Sequence, residues 1–148
     1  MILPPEFIDL SYKKFNNYNA TVPLLNQYVV GKLLETENYD RHIRRLNIIF
    51  KKRLEAFYKE FSDISHKVKI SSNGTGQYFL LEFSANVEQN VLIAKALEHK
   101  VRVYSTMQFW QDKAECPPNK LFLGFSKIDI NDISDCVKRL KLAWKEFL

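Results

Sequence analysis

The hydrophobic positions between residues 39 and 61 recur at spacings of three and four along an otherwise charged stretch. They are Tyr39, Ile43, Leu46, Phe50, Leu54, Phe57 and Phe61. This spacing places them on one stripe of an α-helix. Neither Gly nor Pro interrupts the run, so we predict one helix of roughly 35 Å, at a rise of 1.5 Å per residue. A helix of that length is able to connect two structural units.

A second apolar helix is predicted immediately before the long one. Thr21 is a suitable N-cap and Pro23 suits the first turn. The hydrophobic stripe that follows consists of Leu24, Leu25, Tyr28, Val29, Leu33 and Leu34. Upstream of this helix, Glu6–Lys14 is predicted to form one or two helical turns, and the Asn-rich stretch FNNYNA is predicted to be a loop.

The second half of the chain alternates between strand and helix patterns. Residues 68–70 and 77–83 are predicted strands, and the Asn73-Gly74 turn between them predicts a hairpin. A helix capped by Ser84 or Asn86, a short strand at 101–104, a long loop at 105–119, a strand at 121–125 and a helix capped by Asn131 follow. The order α-α-β-β-α-β-β-α predicts an α+β fold, with a small mixed sheet covered by helices.

Composition supports an ordinary globular domain without membrane or metal chemistry. The chain has 148 residues, of which 46% are hydrophobic, so it is able to form its own core. The net charge of +5 is dispersed, and a solvated surface explains it as well as nucleic-acid binding does. Cys116 and Cys136 show no zinc spacing. The usage of these two cysteines favours a reduced, cytoplasmic compartment. No apolar run of 18 residues and no signal peptide is present, so we expect no membrane partner.

No catalytic set is found in the sequence. A dinucleotide fingerprint, a P-loop and a nucleophile elbow are absent, and the three histidines are scattered. We therefore predict no catalytic residue and no metal site in this chain. The loop at 105–119 carries Phe109 and Trp110 near lysines, a pattern that fits packing in the core or at an interface, closure over a ligand, docking on another domain, or stacking on bases.

The segment TVPLLNQYVVGKLLETENYDRHIRRLNIIFKKRLEAF has a distinctive residue order. It resembles MocR-type transcription regulators, the aminotransferase-like members of the bacterial GntR family. Those proteins have a Gln-containing apolar helix, a Tyr-x-x-His-Ile-Arg-Arg motif, and then an aromatic residue and a basic pair before Leu. The matching residues here are Gln27, Tyr39, His42, Ile43, Arg44, Arg45, Phe50, Lys52, Arg53 and Leu54.

The resemblance extends along nearly all of the chain. MILPPEF resembles the strand that follows the cofactor lysine, and VRVYSTMQFW resembles the segment that enters the substrate side. GQYFLLEF resembles a Gly-x-His-x-x strand, with Tyr78 in place of His. LFLGFSKI resembles the closing strand, in which ordinary class I aminotransferases carry the Arg that binds the substrate carboxylate. Phe122 stands at that position here, which argues against transamination of ordinary amino acids and is compatible with ligand sensing.

The resemblance implies the fold of the C-terminal small domain of class I/II aminotransferases, with a long linking helix. Residues 1–37 would belong to the large-domain or dimer side, and residues 38–148 would form the small domain, with a connecting helix at 38–62. The full-length parent would be a dimer that binds pyridoxal phosphate and an amino-acid or amine effector. Its missing large domain would hold the cofactor lysine, and a missing winged-helix domain would bind DNA.

Site residues follow from the same resemblance. Tyr18, Asn19 and Thr21 would approach the cofactor of the partner subunit across the dimer interface, although simple turn chemistry also explains this loop. Tyr104, Ser105 and Phe122 would line the substrate or effector pocket. The chain would not bind the cofactor covalently and would be inactive by itself.

Two other functions remain open at this stage. One is the C-terminal part of a genuine class I/II aminotransferase, and the other is a standalone α+β interaction module. If the chain is part of a larger protein, some of the long helix and also Leu24, Leu25 and Tyr28 should be exposed.

Overall fold

The computed structural model describes residues 3–15, 22–74 and 76–148. These residues form two units, 1–43 and 44–148, and the division falls within the third helix. The helices are α1 (Pro5–Phe15), α2 (Leu24–Glu35), α3 (Asn38–Glu60), α4 (Gln89–Glu98) and α5 (Ile133–Ala143). The strands are β1 (Val68–Ser71), β2 (Tyr78–Phe83), β3 (Tyr104–Ser105) and β4 (Lys120–Gly124).

Helices α1 and α2 contain no buried residue. On α2 the predicted hydrophobic positions face outward: Leu24 is 81% exposed, Leu25 71% and Tyr28 63%. The expected exposure of these three residues is therefore confirmed. Helix α1 is longer than the one or two turns predicted for it. Pro23 is the N-cap residue of α2 and provides no side-chain hydrogen bond, while Thr21, the predicted cap, lies outside the described residues.

The apolar stripe of α3 is buried progressively toward its C-terminal end. Tyr39 is exposed, Phe50 is half-buried, Leu54 is buried, and Phe57 and Phe61 have almost no accessible surface. The stripe was predicted from its spacing, and the structure confirms a single helix that carries all of its positions except Phe61, which follows the helix directly. Only its C-terminal half contributes to the hydrophobic core.

The four strands form one sheet in the order β1-β2-β4-β3, and each of the three pairings is antiparallel. The predicted α+β class is confirmed, but the expectation of a mixed sheet is wrong for these pairings. Helix α4 connects β2 to β3, which run in the same direction. The two strands do not pair, because β4 lies between them and runs antiparallel to both.

One face of the sheet forms the core with the helices. Its buried side chains alternate along the two central strands and are Phe79, Leu81, Phe83, Leu121 and Leu123. Trp144, just after α5, has no accessible surface and donates a hydrogen bond from Nε1 to the Leu92 carbonyl at 3.0 Å. Its ring meets Phe83 edge-on, with a centroid separation of 4.9 Å. This contact joins α4, the end of α5 and the sheet.

Helix α4 ends on a lysine in the left-handed backbone region. Lys100 has φ +62°, its N–H bonds to the Leu97 carbonyl at 2.8 Å, and the Val101 N–H bonds to the Ala96 carbonyl at 2.9 Å. This pair of bonds is the Schellman ending of a helix, in which Gly is the usual residue. A side chain in this conformation costs about 1 kcal/mol. Gly74, by contrast, meets the same requirement at φ +77° in the hairpin loop without that cost.

The start of the last helix differs from the prediction. The Asp129 carboxylate, rather than Asn131, provides the local cap, accepting a hydrogen bond from the Asn131 N–H at 2.9 Å. A 3-10 turn at Ile130–Asp132 then leads into α5. Asp and Asn both favour such positions, and the pattern did not show that the turn begins two residues earlier.

We predict that the two leucines of α5 at positions 140 and 142 respond differently to truncation. Leu140 has no accessible surface, whereas Leu142 is 62% exposed. Leu140→Ala should reduce the free energy of unfolding by about 2–5 kcal/mol, because it opens a cavity in the core. Leu142→Ala should change it by less than about 0.5 kcal/mol. Urea unfolding measures both, and equal losses would contradict the assigned orientation of α5.

Candidate functional site

The sheet face opposite the core carries a cluster of aromatic rings, which we call the aromatic face. It consists of Tyr78, Tyr104, Phe109 and Phe122. Phe122, from β4, is at its centre: its ring centroid lies 5.9 Å from Tyr78, 5.0 Å from Tyr104 and 5.4 Å from Phe109. The Tyr104 and Phe122 rings are stacked with an interplanar angle of 16°. Strand alternation creates this arrangement, because neighbours of buried residues point to the opposite face.

The aromatic face is only partly covered. Phe122 is half-buried beneath its neighbours, whereas Tyr78 and Tyr104 are exposed and Phe109 is 71% exposed. Such a surface offers π-faces and apolar edges to a ligand or to another chain. The rings lie on three strands of the sheet and on the loop after β3, so the rigid part of the fold positions most of them.

Two of the three predicted effector residues line a cleft beside this face. The cleft has a volume of about 330 Å³ and is lined by Tyr104, Ser105, Met107, Gln108 and Lys113. Phe122 does not line it but packs directly against Tyr104. The three predicted residues are therefore close together, with Tyr104 as the residue shared by the cleft and the aromatic face.

Ser105 is committed to a hydrogen bond with Gln89 in the protein interior. Its hydroxyl donates to Gln89 Oε1 at 2.6 Å and accepts from the Met107 N–H at 3.0 Å. The Ser105 side chain thus has its donor already occupied. We conclude that this residue shapes the loop and has little capacity left to bind a ligand.

Gln89, the first residue of α4, is the centre of a buried polar network. It is almost fully buried. Its Oε1 also accepts from the Thr106 N–H at 3.0 Å, and its Nε2 donates to the Pro117 carbonyl at 2.7 Å. Nε2 also approaches Thr106 Oγ1 at 3.1 Å and Cys116 Sγ at 3.2 Å. Because an N–H only donates and a carbonyl only accepts, these partners fix which way the amide points.

This network holds the loop that carries Phe109. The loop leaves β3 at Ser105 and returns to β4 at Lys120, and Thr106 Oγ1 closes it by donating to the Lys120 carbonyl at 3.1 Å. Every buried side-chain N or O among the described residues has a partner. No motif or hydrophobic period in the sequence distinguishes Gln89. Its one distinguishing feature in the sequence is its position at the start of a helix that precedes a long irregular loop. Residues at such positions are usually exposed, so this feature does not predict a buried network.

Among the residues that the structure describes, no arginine lines the cleft beside the aromatic face. Lys120 and Glu82 pair across β4 and β2 at 3.3 Å. Lys113 lines the cleft and makes no ion pair with a described carboxylate. A ligand here would therefore meet aromatic rings and one lysine, without the bidentate fork that a guanidinium gives to a carboxylate.

The remaining expectations from the sequence concern the cofactor loop, metal binding and membrane insertion. Tyr18, Asn19 and Thr21 lie outside the described residues. Within the described residues, no group of three or more His, Cys, Asp or Glu side chains is arranged to hold a metal ion. No helix of the described part is long and apolar enough to cross a membrane.

The thiol of Cys136 on α5 is a poor nucleophile. Burial, with the Asp135 carboxylate nearby, raises the pKa of Cys136 from 9.0 to about 11. Since the thiolate is the reactive form, this thiol is protonated at neutral pH. A raised pKa also means that the contribution of Cys136 to stability is complete below pH 9 and is lost as the pH rises toward 11 and beyond.

We expect Cys136 to be alkylated by iodoacetamide about 100-fold more slowly in the native chain than in denaturant at pH 8, since the thiolate fraction falls tenfold per pKa unit. Peptide-resolved mass spectrometry follows this cysteine separately from Cys116. Equal rates in the two states would show that Cys136 is neither buried nor shifted.

A further prediction concerns the Gln89 network. Gln89→Leu keeps the volume but leaves the Thr106 N–H without its side-chain acceptor and the Pro117 carbonyl with only the weak Cys116 thiol donor at 3.8 Å, so the free energy of unfolding should fall by about 2–3 kcal/mol. Hydrogen exchange at the Thr106 and Met107 amides should become faster. The matched change Gln108→Leu, in the same loop but exposed, should alter stability by less than about 0.5 kcal/mol. Unchanged exchange in Gln89→Leu would mean that the network does not hold the loop.

The chain is similar in sequence to two transcriptional regulators of known sequence. The chain is 29% identical over 150 residues to the uncharacterized HTH-type transcriptional regulator YdeL of Bacillus subtilis strain 168, covering 98% of the chain and 31% of that protein. It is 23% identical over 145 residues to the uncharacterized HTH-type transcriptional regulator YhdI of the same strain, covering 97% of the chain and 30% of YhdI. The chain thus spans about a third of the length of these curated relatives. No protein-family profile matches it.

Several solved aminotransferase structures resemble the chain. LysN, the α-aminoadipate aminotransferase of Thermus thermophilus, superimposes with a TM-score of 0.81 at 20% identity, covering 99% of the chain and 37% of LysN. The aromatic aminotransferase Aro9 of C. albicans gives a TM-score of 0.73 at 18% identity, covering 97% of the chain and 34% of Aro9. The chain therefore has the fold of an aminotransferase segment, and both sequence relatives described above are named as HTH-type transcriptional regulators.

Proposed function

We propose that the chain is the C-terminal part of an effector-sensing, aminotransferase-like domain in a MocR-type transcription regulator. One observation carries the proposal: the sequence matches to the regulators YdeL and YhdI and the structural matches to the aminotransferases LysN and Aro9 all extend over 97% or more of the chain. A match to regulators confined to a short motif would not distinguish them from enzymes. The activity, effector and DNA target of the parent protein all belong to this proposal.

The described residues do not fit covalent attachment of pyridoxal phosphate. A lysine that forms a Schiff base is desolvated to lower its pKa, yet no described lysine is buried. The half-buried lysines, Lys95, Lys120 and Lys141, are each paired with a carboxylate. The described part of the chain therefore supplies no attachment point of its own. The proposal places the cofactor on the rest of the parent, by analogy with LysN, which was solved with N-(5'-phosphopyridoxyl)-L-leucine.

Phe122 supports sensing over transamination. Its position matches the carboxylate-binding arginine of ordinary aminotransferases by the resemblance of LFLGF to their closing strand, and the ring is surrounded by Tyr78, Tyr104 and Phe109. Desolvating a substrate carboxylate against these rings would be unfavourable without a charged partner. We infer that the effector presents an apolar or aromatic part to this face.

The domain assignment remains part of the proposal. Residues 1–37 would lie on the large-domain side, and residues 38–148 would form the small domain, with the connecting helix at 38–62. The exposed side chains of α2 support it, because a surface helix that is apolar on several sides is normally covered by other protein. The same proposal includes a homodimer, a cytoplasmic location, and a role for Tyr18, Asn19 and Thr21 at the partner's cofactor.

A genuine aminotransferase is the second candidate. The fold of the neighbours favours it, since LysN and Aro9 are both named as enzymes. It requires another cation to replace the missing guanidinium. Lys113, which lines the cleft, and Lys120, two residues before Phe122, are candidates for this role. The sequence relatives favour the regulator instead.

DNA binding and amino-acid turnover by the full-length parent, loaded with pyridoxal phosphate, distinguish these two functions. We expect it to bind the DNA upstream of its own gene and to change that affinity by at least about fivefold when an amino-acid or amine effector is added, as is typical of allosteric coupling. Gel-shift titration measures this change. Turnover of ordinary amino acids without DNA binding would support the enzyme instead. If the protein binds neither the cofactor nor DNA, both candidate functions are contradicted.

A substitution in the same protein tests the part assigned to Phe122. Phe122→Arg should tighten binding of a simple amino acid about tenfold, because one charge-assisted bidentate contact is gained. Phe109→Arg is the matched control, since it adds the same charge to a more exposed ring of the same face and should leave this affinity within about twofold. Equal gains for both variants would show a general charge effect and contradict the role of Phe122.

A further inference from the structure

A second and larger cavity lies on the β3 side of the sheet, within residues 100–139. Its volume is about 610 Å³, and it is lined by residues before and in β3, by the end of β4 with the turn after it, and by α5. Its charged lining residues are Lys100, Arg102, Lys127, Arg139, Asp132 and Asp135. We call this the basic cavity. The volume falls within the range of ordinary small-molecule sites.

The charges of the basic cavity do not cancel. Arg139 and Asp135 form an ion pair at 2.7 Å. Lys100, Arg102 and Lys127 make no ion pair within 4.0 Å with a described carboxylate. Four cations and two carboxylates leave a local excess of two positive charges in a concave surface, where field lines are focused on an anion.

Lys100 provides an independent reason to assign a role to this site. It holds the left-handed position that ends α4, at φ +62°, where Gly is conformationally easier. A lysine in this position is strained and gains no ion pair within the described residues. An observed outlier of this kind supports a functional hypothesis when the residue lines a cavity.

The rest of the lining determines what kind of anion fits. Val101, Leu123 and Ile128 add apolar surface, and Ser126 adds a hydroxyl. The wall at Ser126 is anchored, because Arg53 of α3 donates a hydrogen bond to its carbonyl. A ligand with a compact, doubly charged group and a small apolar body matches this combination, and Arg102 is able to bind phosphate oxygens in a bidentate manner.

We propose that the basic cavity binds a small phosphate-bearing molecule at a site separate from the cleft beside the aromatic face. Tyr104 lines both, so an occupant of the basic cavity contacts the same residue that packs on Phe122. The proposal goes beyond the proposed function and does not rest on it, since it requires only residues 100–139 and their charges.

Calorimetric titration of the 148-residue chain with inorganic pyrophosphate at about 0.15 M salt tests the site. We expect saturable binding that weakens about tenfold in Lys100→Gly and in Arg102→Gln, since each loses one charge-assisted contact. Lys100→Gly should leave the unfolding midpoint unchanged or raised, because Gly relieves the left-handed strain. Lys138→Gln is the control: Lys138 is exposed on α5 but lies outside the cavity lining, and the affinity of this variant should stay within about twofold of the original.

Three results would overturn the proposal. The first is the absence of pyrophosphate binding to the unaltered chain. The second is an equal loss in Lys138→Gln, which would assign binding to diffuse surface charge. The third is tighter binding of a duplex oligonucleotide that is weakened by Lys100→Gly and Arg102→Gln, which would make these cations a DNA contact. Loss of affinity in Lys100→Gly with retained stability supports the site, since a purely structural role would lower both.

Discussion

Strand β4 is hydrogen-bonded along both edges, and both faces of the sheet depend on its alternation. Leu121 and Leu123 point into the core, while Phe122 between them points to the aromatic face. The pairing with β2 and β3 fixes this register, and a shift by one residue would exchange the two sets. The hydrophobic core and the candidate site are therefore specified by the same pairing, so a change that alters the register affects both.

The second constraint is the buried hydrogen-bond network of Gln89, which lies where the sheet joins the loop between β3 and β4. The Gln89 side chain forms hydrogen bonds with Ser105 and Thr106 at the start of the loop and with Pro117 near its end. These bonds fix the two ends of the loop, as regular backbone pairing does elsewhere. A fully satisfied buried network fixes a single geometry, whereas a partly satisfied one destabilises the fold. The position of Phe109 against Phe122 is thus linked to the start of α4, although these residues are distant in sequence.

The sequence predicts much of this structure because hydrophobic periodicity reports burial directly. The stripe of α3, the β1–β2 hairpin and the strand around Phe122 follow from spacing and turn chemistry. The sheet order does not follow, because the α4 crossover between β2 and β3 is compatible with direct parallel pairing, and only tertiary packing decides that β4 intervenes. The Gln89 network and the basic cavity join residues that are separated along the chain and lack any periodic pattern, so sequence inspection could not identify them.

The burial gradient of α3 has a mechanical consequence. The helix is continuous over 23 residues and contains neither Gly nor Pro, so it lacks the usual points at which a helix bends. Within the second unit, Leu54 and Phe57 of this helix lie in a close-packed interior. Such interiors transmit strain because they compress little. A change in the orientation of this part of α3 would therefore be transmitted to the sheet, because Phe57 is in direct ring contact with Phe79.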